Sequence, residues 1–255
     1  DLFAVLRPLK ASIGETATRV RQRVEAIYDY AAVAGYVAAG VNPARTIKSQ
    51  LTSVAGGGAK GHHAALSWRD VPGFLAALRD GDASQPVRLA FEWLILTATR
   101  HSETTGASWS EIHADRRVWT VPAGRMKTGE QHEVPITPRM RAILAAMEPL
   151  SGGQGLIFPS PQRRRGEVRV ELSEGALRGV LVRMGLVSKA TTHGMRSAFS
   201  TWAYETQKIR GDVIEAAIAH VEKNAVKAAY SRADYWAERV ALAHAWEAHC
   251  LGTGL

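Results

Sequence analysis

Arg100, Lys127, His193, Arg196, His220 and Tyr230 are, in chain order, six residues whose combined chemistry fits a phosphodiester. Two planar guanidinium forks match the non-bridging oxygens of a phosphate and stabilise the charge that builds up in a pentavalent transition state. The phenol of Tyr230 can attack the phosphorus. A free phenol has a pKa of about 10, so only about one in a thousand is ionised near pH 7, a handicap of roughly 4 kcal/mol. Neighbouring guanidinium and imidazole groups favour the phenolate and reduce that handicap. The departing 5′-oxygen needs a proton, and Lys127 is a candidate to supply it. No cofactor or metal enters this scheme. The sequence has no acidic cluster suited to two Mg²⁺ ions, no phosphate-binding P-loop and no Cys/His zinc spacing, and the adjacent His62-His63 make a poor metal site.

Each residue alone has an ordinary reading. His193 and Arg196 are three apart in the first turn of a helix, where a phosphate is favoured, but a capping histidine and an exposed arginine would look the same. Arg100 follows the apolar run Leu94–Thr99 and could be a solvated helix end, although Glu103 is placed to orient its guanidinium. Lys127 could be a charged turn residue, His220 a helix-end charge, and Tyr230 a packing residue beside Ala225–Ala229. Their order and local settings, taken together, favour a common site.

The elements that must position them read as mainly α with a small antiparallel β-sheet (α+β). Apolar spacing through Val20, Val24, Ile27, Tyr28, Ala31 and Ala34 predicts a helix over 15–40, interrupted at Gly35 and stopped by Gly40 and Asn42-Pro43. The stretch Ala55–Gly61 reads as a linker. Beyond it, helices are expected from Ser67 to Arg79, with Ser67 as cap, and from Pro86 to Ala98. The runs Val118–Pro122 and His132–Ile136 predict two strands of a hairpin whose turn, Met126–Glu130, carries Lys127. Further helices are expected at Pro138–Met147, Ser173–Met184, His193–Glu205 behind a Thr191-Thr192 cap, and about 212–219, 224–229 and 234–249.

Bulk properties agree with a polyanion as partner. The chain has 255 residues and a net charge of +8, and its sequence pI is about 9.9, a balance that favours nucleic acid. One cysteine, Cys250, excludes a disulfide framework within the chain and makes a reducing cytoplasm the default. No secretion signal and no apolar run long enough for a bilayer are present. The first residue, Asp1, falls in mid-pattern, so a preceding segment is expected. Arg163-Arg164-Arg165 reads either as a contact to backbone phosphate or as a solvated loop.

The local sequences around these residues resemble the tyrosine recombinases, or phage integrases. Thr99-Arg100-His101-Ser102-Glu103 with Trp109-Ser110-Glu111-Ile112 resembles their first arginine box. Thr192-His193-Gly194-Met195-Arg196 with Phe199-Ser200-Thr201 resembles the second. Ile218-Ala219-His220 and Ala229-Tyr230-Ser231-Arg232-Ala233 resemble the histidine and nucleophile box, most like integrases of prophages and genomic islands. The resemblance covers about 67–250. It implies a catalytic domain at 67–255, a linker at 55–66, and at 1–54 the C-terminal part of a helical core-binding domain. It implies Tyr230 as nucleophile forming a 3′-phosphotyrosyl bond, Arg100 and Arg196 as the phosphate clamp, His193 and His220 assisting, and Lys127 as general acid. Double-stranded DNA attachment sites, a homotetramer on DNA, accessory bending or excision factors and a cytoplasmic, nucleoid-associated location follow as expectations, as does a C-terminal helix, Trp236 to Leu251, passed to a neighbour. A chromosome-dimer resolvase of the same chemistry and a non-catalytic DNA-binding module are the alternatives. The family usually has Leu-Gly-His and Leu-Arg where this chain has Ile218-Ala219-His220 and Met195-Arg196, and an aliphatic residue at Thr104; these read as packing variants.

Overall fold

A computed structural model describes residues 1–54, 64–161, 170–220 and 235–253. The chain divides into two compact units, Asp1–His62 and His63–Leu255.

In the first unit, helix α1 (Leu2–Ser12) and helix α2 (Gly14–Val33) pack together, followed by the short helices α3 (Pro43–Thr46) and α4 (Lys48–Ser53). Its small core is Leu6, Ile47 and Leu51, with Leu2, Phe3, Leu9 and Val20 against them. α1 lies ahead of the periodic stretch and is not anticipated by it. α2 ends at Val33 rather than near Gly40, because Gly35 takes a left-handed φ of 76° that stops the helix. Ile27, expected on the buried face, is exposed; the buried positions of α2 are Ala17 and Arg21. Arg21 is satisfied by Glu25 at 2.6 Å and by the Ala44 carbonyl at 3.2 Å. Asn42 caps α3 by accepting from Ala44 N and Arg45 N, so the predicted stop is also a helix start.

The second unit is mainly helical. A 3-10 turn at Trp68–Asp70, begun by Ser67 accepting from Arg69 N, leads into α5 (Val71–Asp80). There follow α6 (Gln85–Thr97), the short α7 (His101–Thr105), strands β1 (Val118–Val121) and β2 (His132–Pro135), and helices α8 (Pro138–Ser151), α9 (Glu174–Arg183), α10 (Thr192–Thr206), α11 (Gly211–Ala217) and α12 (Trp236–Cys250). β1 and β2 pair antiparallel, with Val121 opposite His132 and Val118 opposite Pro135. The fold is mainly α with a small antiparallel sheet, as expected. α6 is buried nearly all round and forms the axis of the core, with Trp93 packed edge-on against Trp119 at 5.5 Å. Its one buried carboxylate, Glu92, is forked by Arg139 at 2.7 and 2.8 Å and held by Arg79 at 2.5 Å. Burial pushes that carboxyl up, but the two arginines outweigh it and hold it below the usual range.

α12 is part of this chain's own core. Trp246 is fully buried, donates from Nε1 to the Ile95 carbonyl at 2.8 Å, packs tilted against Trp202 and stacks with His249. Leu242 and Cys250 are buried beside it. Leaving this groove empty would expose the aromatic cluster, at a cost of about 2 kcal/mol or more per large side chain. Whether this helix is kept or exchanged with a neighbour, it must fill this groove, because an exchanged copy makes the same contacts.

Candidate active site

Thr97, Thr99 and Arg100 sit where α6 turns into α7. The C-cap of α6 is Ala98, left-handed at φ 50° and 1% exposed. A chain of buried hydroxyls fixes the turn: Thr97 donates to the Trp93 carbonyl at 2.7 Å and shares a hydrogen bond with Thr99 at 2.8 Å, and Thr99 shares one with Thr104 at 2.9 Å. Thr104 is therefore a hydrogen-bonding position, not an aliphatic packing site. Arg100 leaves this turn gripped at both ends by Glu103. Its backbone N donates to Oε2 at 2.8 Å and its Nη1 to Oε1 at 2.7 Å. Glu103 is 1% exposed, so its charge is directed at Arg100 rather than dispersed in water.

Arg196 comes from the other side. Thr191 caps α10 by accepting from Gly194 N at 2.8 Å, and the same hydroxyl donates to the Ala64 carbonyl at 3.2 Å. Glycine is required at 194, because a Cβ there would run into the Ala64 carbonyl. With the helix start so fixed, Arg196 projects into the core and is 4% exposed. Nη1 donates to the Ala98 carbonyl at 2.9 Å and Nη2 to the carbonyl of Ile218. Nη2 of Arg100 approaches the next carbonyl, Ala219, at 3.5 Å. The two arginines thus meet over one short strip of backbone. Burial first and the Arg100 charge second push the Arg196 guanidinium down to about 10, with Glu103 and Glu215 opposing. It stays cationic near neutral pH.

His220 follows this strip directly. Its Nδ1 pairs with Glu215 Oε2 at 2.7 Å, and its ring is half-exposed. The Glu215 contact fixes the ring and directs Nε2 away from the carboxylate. The other oxygen of Glu215 accepts from Tyr204 Oη at 2.8 Å. Ala219 itself has φ 47°. Where the family usually has glycine, this chain places an alanine in a left-handed conformation, so the difference bears on the backbone rather than on packing.

His193 is exposed in the first turn of α10, three residues before the buried Arg196. Lys127 is exposed on the turn between β1 and β2. Its side chain makes no hydrogen bond or ion pair with any described residue. Tyr230, the helix expected at 224–229, Arg163-Arg164-Arg165 and His62-His63 lie outside the described residues. Among the described residues no group of three or more His, Cys, Asp or Glu is placed to hold a metal ion, and no helix is long and apolar enough to cross a membrane.

Three residues that sequence reasoning missed belong to the surroundings of this site. Arg125, two residues before Lys127, donates from Nη1 to both Glu111 oxygens at 2.5 and 2.6 Å and from Nη2 to the Glu103 carbonyl at 2.5 Å. It ties the hairpin to α7, and its only sequence signal was a basic residue near a turn. Glu215 carried a signal in its five-residue spacing to His220. His132, on β2, is 8% exposed. Its imidazole is pushed down to about 3, chiefly by burial, then by Arg239 and Arg196, against a hydrogen bond to the Ala217 backbone and with a smaller push from Arg100.

Comparison with known proteins places the chain. The phage integrase family model matches residues 65–236. The chain is 34% identical over 248 residues to prophage integrase IntA of Escherichia coli K12, covering 96% of this chain and 57% of that protein. It is 30% identical to the integrase of Enterobacteria phage P4, covering 90% of this chain and 53% of that protein. It therefore spans little more than half the length of these curated relatives. In fold it is similar to a lambda integrase (75-356) dimer bound to a COC′ core site, with a TM-score of 0.60 and 18% identity over 87% of this chain and 78% of that one. The family match covers most of the compact unit that holds Arg100, Arg196 and His220, and on it the chain belongs to the phage integrase family.

Proposed function

We propose that this chain is the catalytic part of a site-specific DNA recombinase that integrates or excises a prophage or genomic island. The observation that carries the reading is the pair Arg100 and Arg196, two guanidiniums from distant elements held over the Ile218-Ala219 backbone next to His220. Such a cluster is suited to a phosphate with developing negative charge. Tyr230 gives up its phenol proton to solvent and attacks the phosphorus of one strand as the phenolate, the bond from phosphorus to the 5′-oxygen breaks, and a 3′-phosphotyrosyl bond forms. Lys127 protonates the leaving 5′-oxygen, while His193 and His220 hold the phosphate oxygens. A 5′-hydroxyl from a second duplex then attacks the phosphotyrosine and releases the phenol. One phosphodiester-level bond is exchanged for another, so no ATP or metal is needed.

Residues 1–54 act as the end of a helical core-binding domain, with 55–66 as linker and 67–255 as the catalytic domain. The substrate is double-stranded DNA at attachment sites, and four protomers assemble on two sites. A solved lambda integrase tetramer bound to a Holliday junction, similar in fold at TM-score 0.59, is in keeping with this. Accessory DNA-bending or excision factors and a cytoplasmic, nucleoid-associated location belong to the same reading. Prophage integrases among its relatives favour a mobile-element role over chromosome-dimer resolution. The test is a covalent adduct on a nicked duplex that traps cleavage, compared with Tyr230→Phe. An adduct that vanishes in the variant supports the reading; an adduct that survives it removes Tyr230 as nucleophile. Salt-sensitive binding without adduct, from a chain extended to the length of its relatives, would mean a DNA-binding module.

A further inference from the structure

Arg125 stands two residues before Lys127, at the end of the 3-10 turn Ala123–Arg125 that follows β1. Its guanidinium reaches in two directions. Nη1 donates to both oxygens of Glu111, at 2.5 and 2.6 Å, and Nη2 donates to the carbonyls of Ser102 and Glu103, at 3.3 and 2.5 Å. The second contact meets a need of α7. A five-residue helix cannot satisfy its own last carbonyls, and a cation there also complements the helix dipole. The first contact meets a need of Glu111, whose side chain is only 9% exposed. Oε2 of Glu111 also accepts from Trp119 Nε1 at 2.9 Å, so one carboxylate holds β1 as well as the turn. The seat fits this side chain closely: a Cβ on Gly106 would come within 3.0 Å of Arg125 Nη2.

Beyond Arg125 the chain is fixed for one more residue. Met126 is 6% exposed and belongs to the core. Its carbonyl accepts from Gly129 N at 3.1 Å, with Gly129 at φ 74°. Lys127 lies between them, exposed, with a side chain that makes no hydrogen bond or ion pair with any described residue. An ammonium without a partner takes its place from the backbone beneath it. That backbone is tied to the helix whose Glu103 grips Arg100.

We propose that Arg125 is a positioning residue for Lys127: by joining Glu111 to the carbonyls of Ser102 and Glu103, it fastens the Lys127 turn to α7, so that the proton donor and the Arg100 guanidinium share one support. Arg125 is engaged by a carboxylate and two carbonyls, so it acts through Lys127 and not on the phosphate itself.

The inference rests on the recombinase reading, in which Lys127 protonates the leaving 5′-oxygen. A duplex with sulphur in place of that oxygen removes the need for the proton. The bond from phosphorus to sulphur breaks, its electron pair goes to sulphur, and a thiolate, whose thiol has a pKa of about 8.5, departs as the anion. Adduct rates and Kd are measured for the full chain, Arg125→Gln, Lys127→Ala and Arg100→Lys on nicked duplexes with oxygen or sulphur at the scissile 5′ position. Arg125→Gln should lose about tenfold or more with oxygen and stay within about threefold of wild type with sulphur, at a Kd within about twofold. Lys127→Ala should show the same pattern with a larger loss, and Arg100→Lys should be slow on both duplexes.

An Arg125→Gln variant that reacts like wild type with oxygen overturns the proposal. So does one slowed equally on both duplexes, which would place its role in Arg100 or in the fold alone. If Lys127→Ala keeps the wild-type rate with oxygen, Lys127 is not the proton donor and the proposal falls, while the recombinase reading stands. If wild type gives no adduct on either duplex, the recombinase reading fails, and amide hydrogen exchange at Met126, Lys127 and Gly129 decides whether Arg125 fastens the turn: faster exchange in Arg125→Gln is required, and unchanged exchange refutes it. If Arg125→Gln does not fold, Arg125→Lys takes its place. It keeps a charge beside Glu111, but a single ammonium cannot span a carboxylate and two carbonyls. The same oxygen-specific loss is then required, and an unchanged rate overturns the proposal.

Discussion

Arg196 donates from Nη1 to the carbonyl of Ala98, 2.9 Å away and 98 residues earlier in the chain, where Ala98 stands in a left-handed conformation at the end of α6. A strained cap and a buried guanidinium thus support one another. The second fork of the same guanidinium takes the Ile218 carbonyl, so a single side chain joins the ends of α6 and α11.

Arg196→Lys follows directly from this geometry. A single ammonium on a flexible stem cannot reproduce a planar fork spanning two carbonyls while still facing a phosphate. Adduct formation on a nicked duplex should fall by about a hundredfold or more, the range seen when one preorganised oxyanion donor is lost. Affinity for the same duplex should change by no more than about threefold, because most binding comes from other phosphate contacts. Equal losses in rate and affinity would show that Arg196 serves uniform binding and not the transition state.

Ala219→Gly should stabilise the second unit. Alanine at φ 47° carries a left-handed penalty of about 1–2 kcal/mol, partly offset because glycine adds about 0.4–1 kcal/mol of unfolded-chain entropy. The net expectation is a gain of roughly 0.5–1 kcal/mol in urea unfolding. All seven tryptophans lie beyond residue 62, so their fluorescence reports this unit alone. A loss of stability would mean that the Ala219 methyl makes packing contacts worth more than the strain it carries.

Much of this site was legible in the sequence, and the rest was hidden for identifiable reasons. Arg100, Glu103, Thr191 and Arg196 announced themselves through helix-end chemistry: a polar cap, a carboxylate three residues on, an arginine one turn in. The hairpin was visible in its β-branched runs. What the residue order could not express was backbone conformation and distant contact. Ala219 reads as a small packing residue until its φ is known. His132 sits in an ordinary strand pattern, and only the fold buries it, opposite Val121 in the hairpin. α1 went unnoticed because its pattern is interrupted by Pro8, which sits inside the helix, and Trp236–Cys250 reads as an amphipathic helix whichever chain it packs against.

Acid stability gives a separate check on the setting of His132. Its imidazole titrates near pH 3 in the folded chain against about 6.5 for a free histidine. Between these values the unfolded chain binds a proton that the folded chain refuses, so stability rises with pH across the window. The contribution is complete above about pH 6.5 and is lost as the pH falls toward 3, at up to about 1.4 kcal/mol per unit. His101, also lowered by burial, adds a slope of the same sign. In His132→Gln its part of the slope should disappear while the His101 part remains. Urea midpoints at pH 7.5, 6.5, 5.5 and 5.0, followed by tryptophan fluorescence, compare the two, and parallel curves would contradict the buried, neutral His132.

Glu215 joins two side chains that would otherwise be independent, His220 through Oε2 at 2.7 Å and Tyr204 through Oε1 at 2.8 Å. Replacing it by glutamine keeps the shape but removes the charge that fixes the Nδ1–H tautomer of His220. The expected effect on adduct formation is a loss of about tenfold, the lower end of what an orienting partner contributes, with the duplex Kd unchanged. The second side chain supplies an internal control. Burial first, then the hydrogen bond and charge of Glu215, push the Tyr204 phenol up to about 12. In Glu215→Gln the charge is gone, so the ultraviolet titration of that phenol should move down toward the ordinary tyrosine value. A variant in which Tyr204 shifts but the adduct rate does not would show that Glu215 braces α10 against α11 without acting on His220.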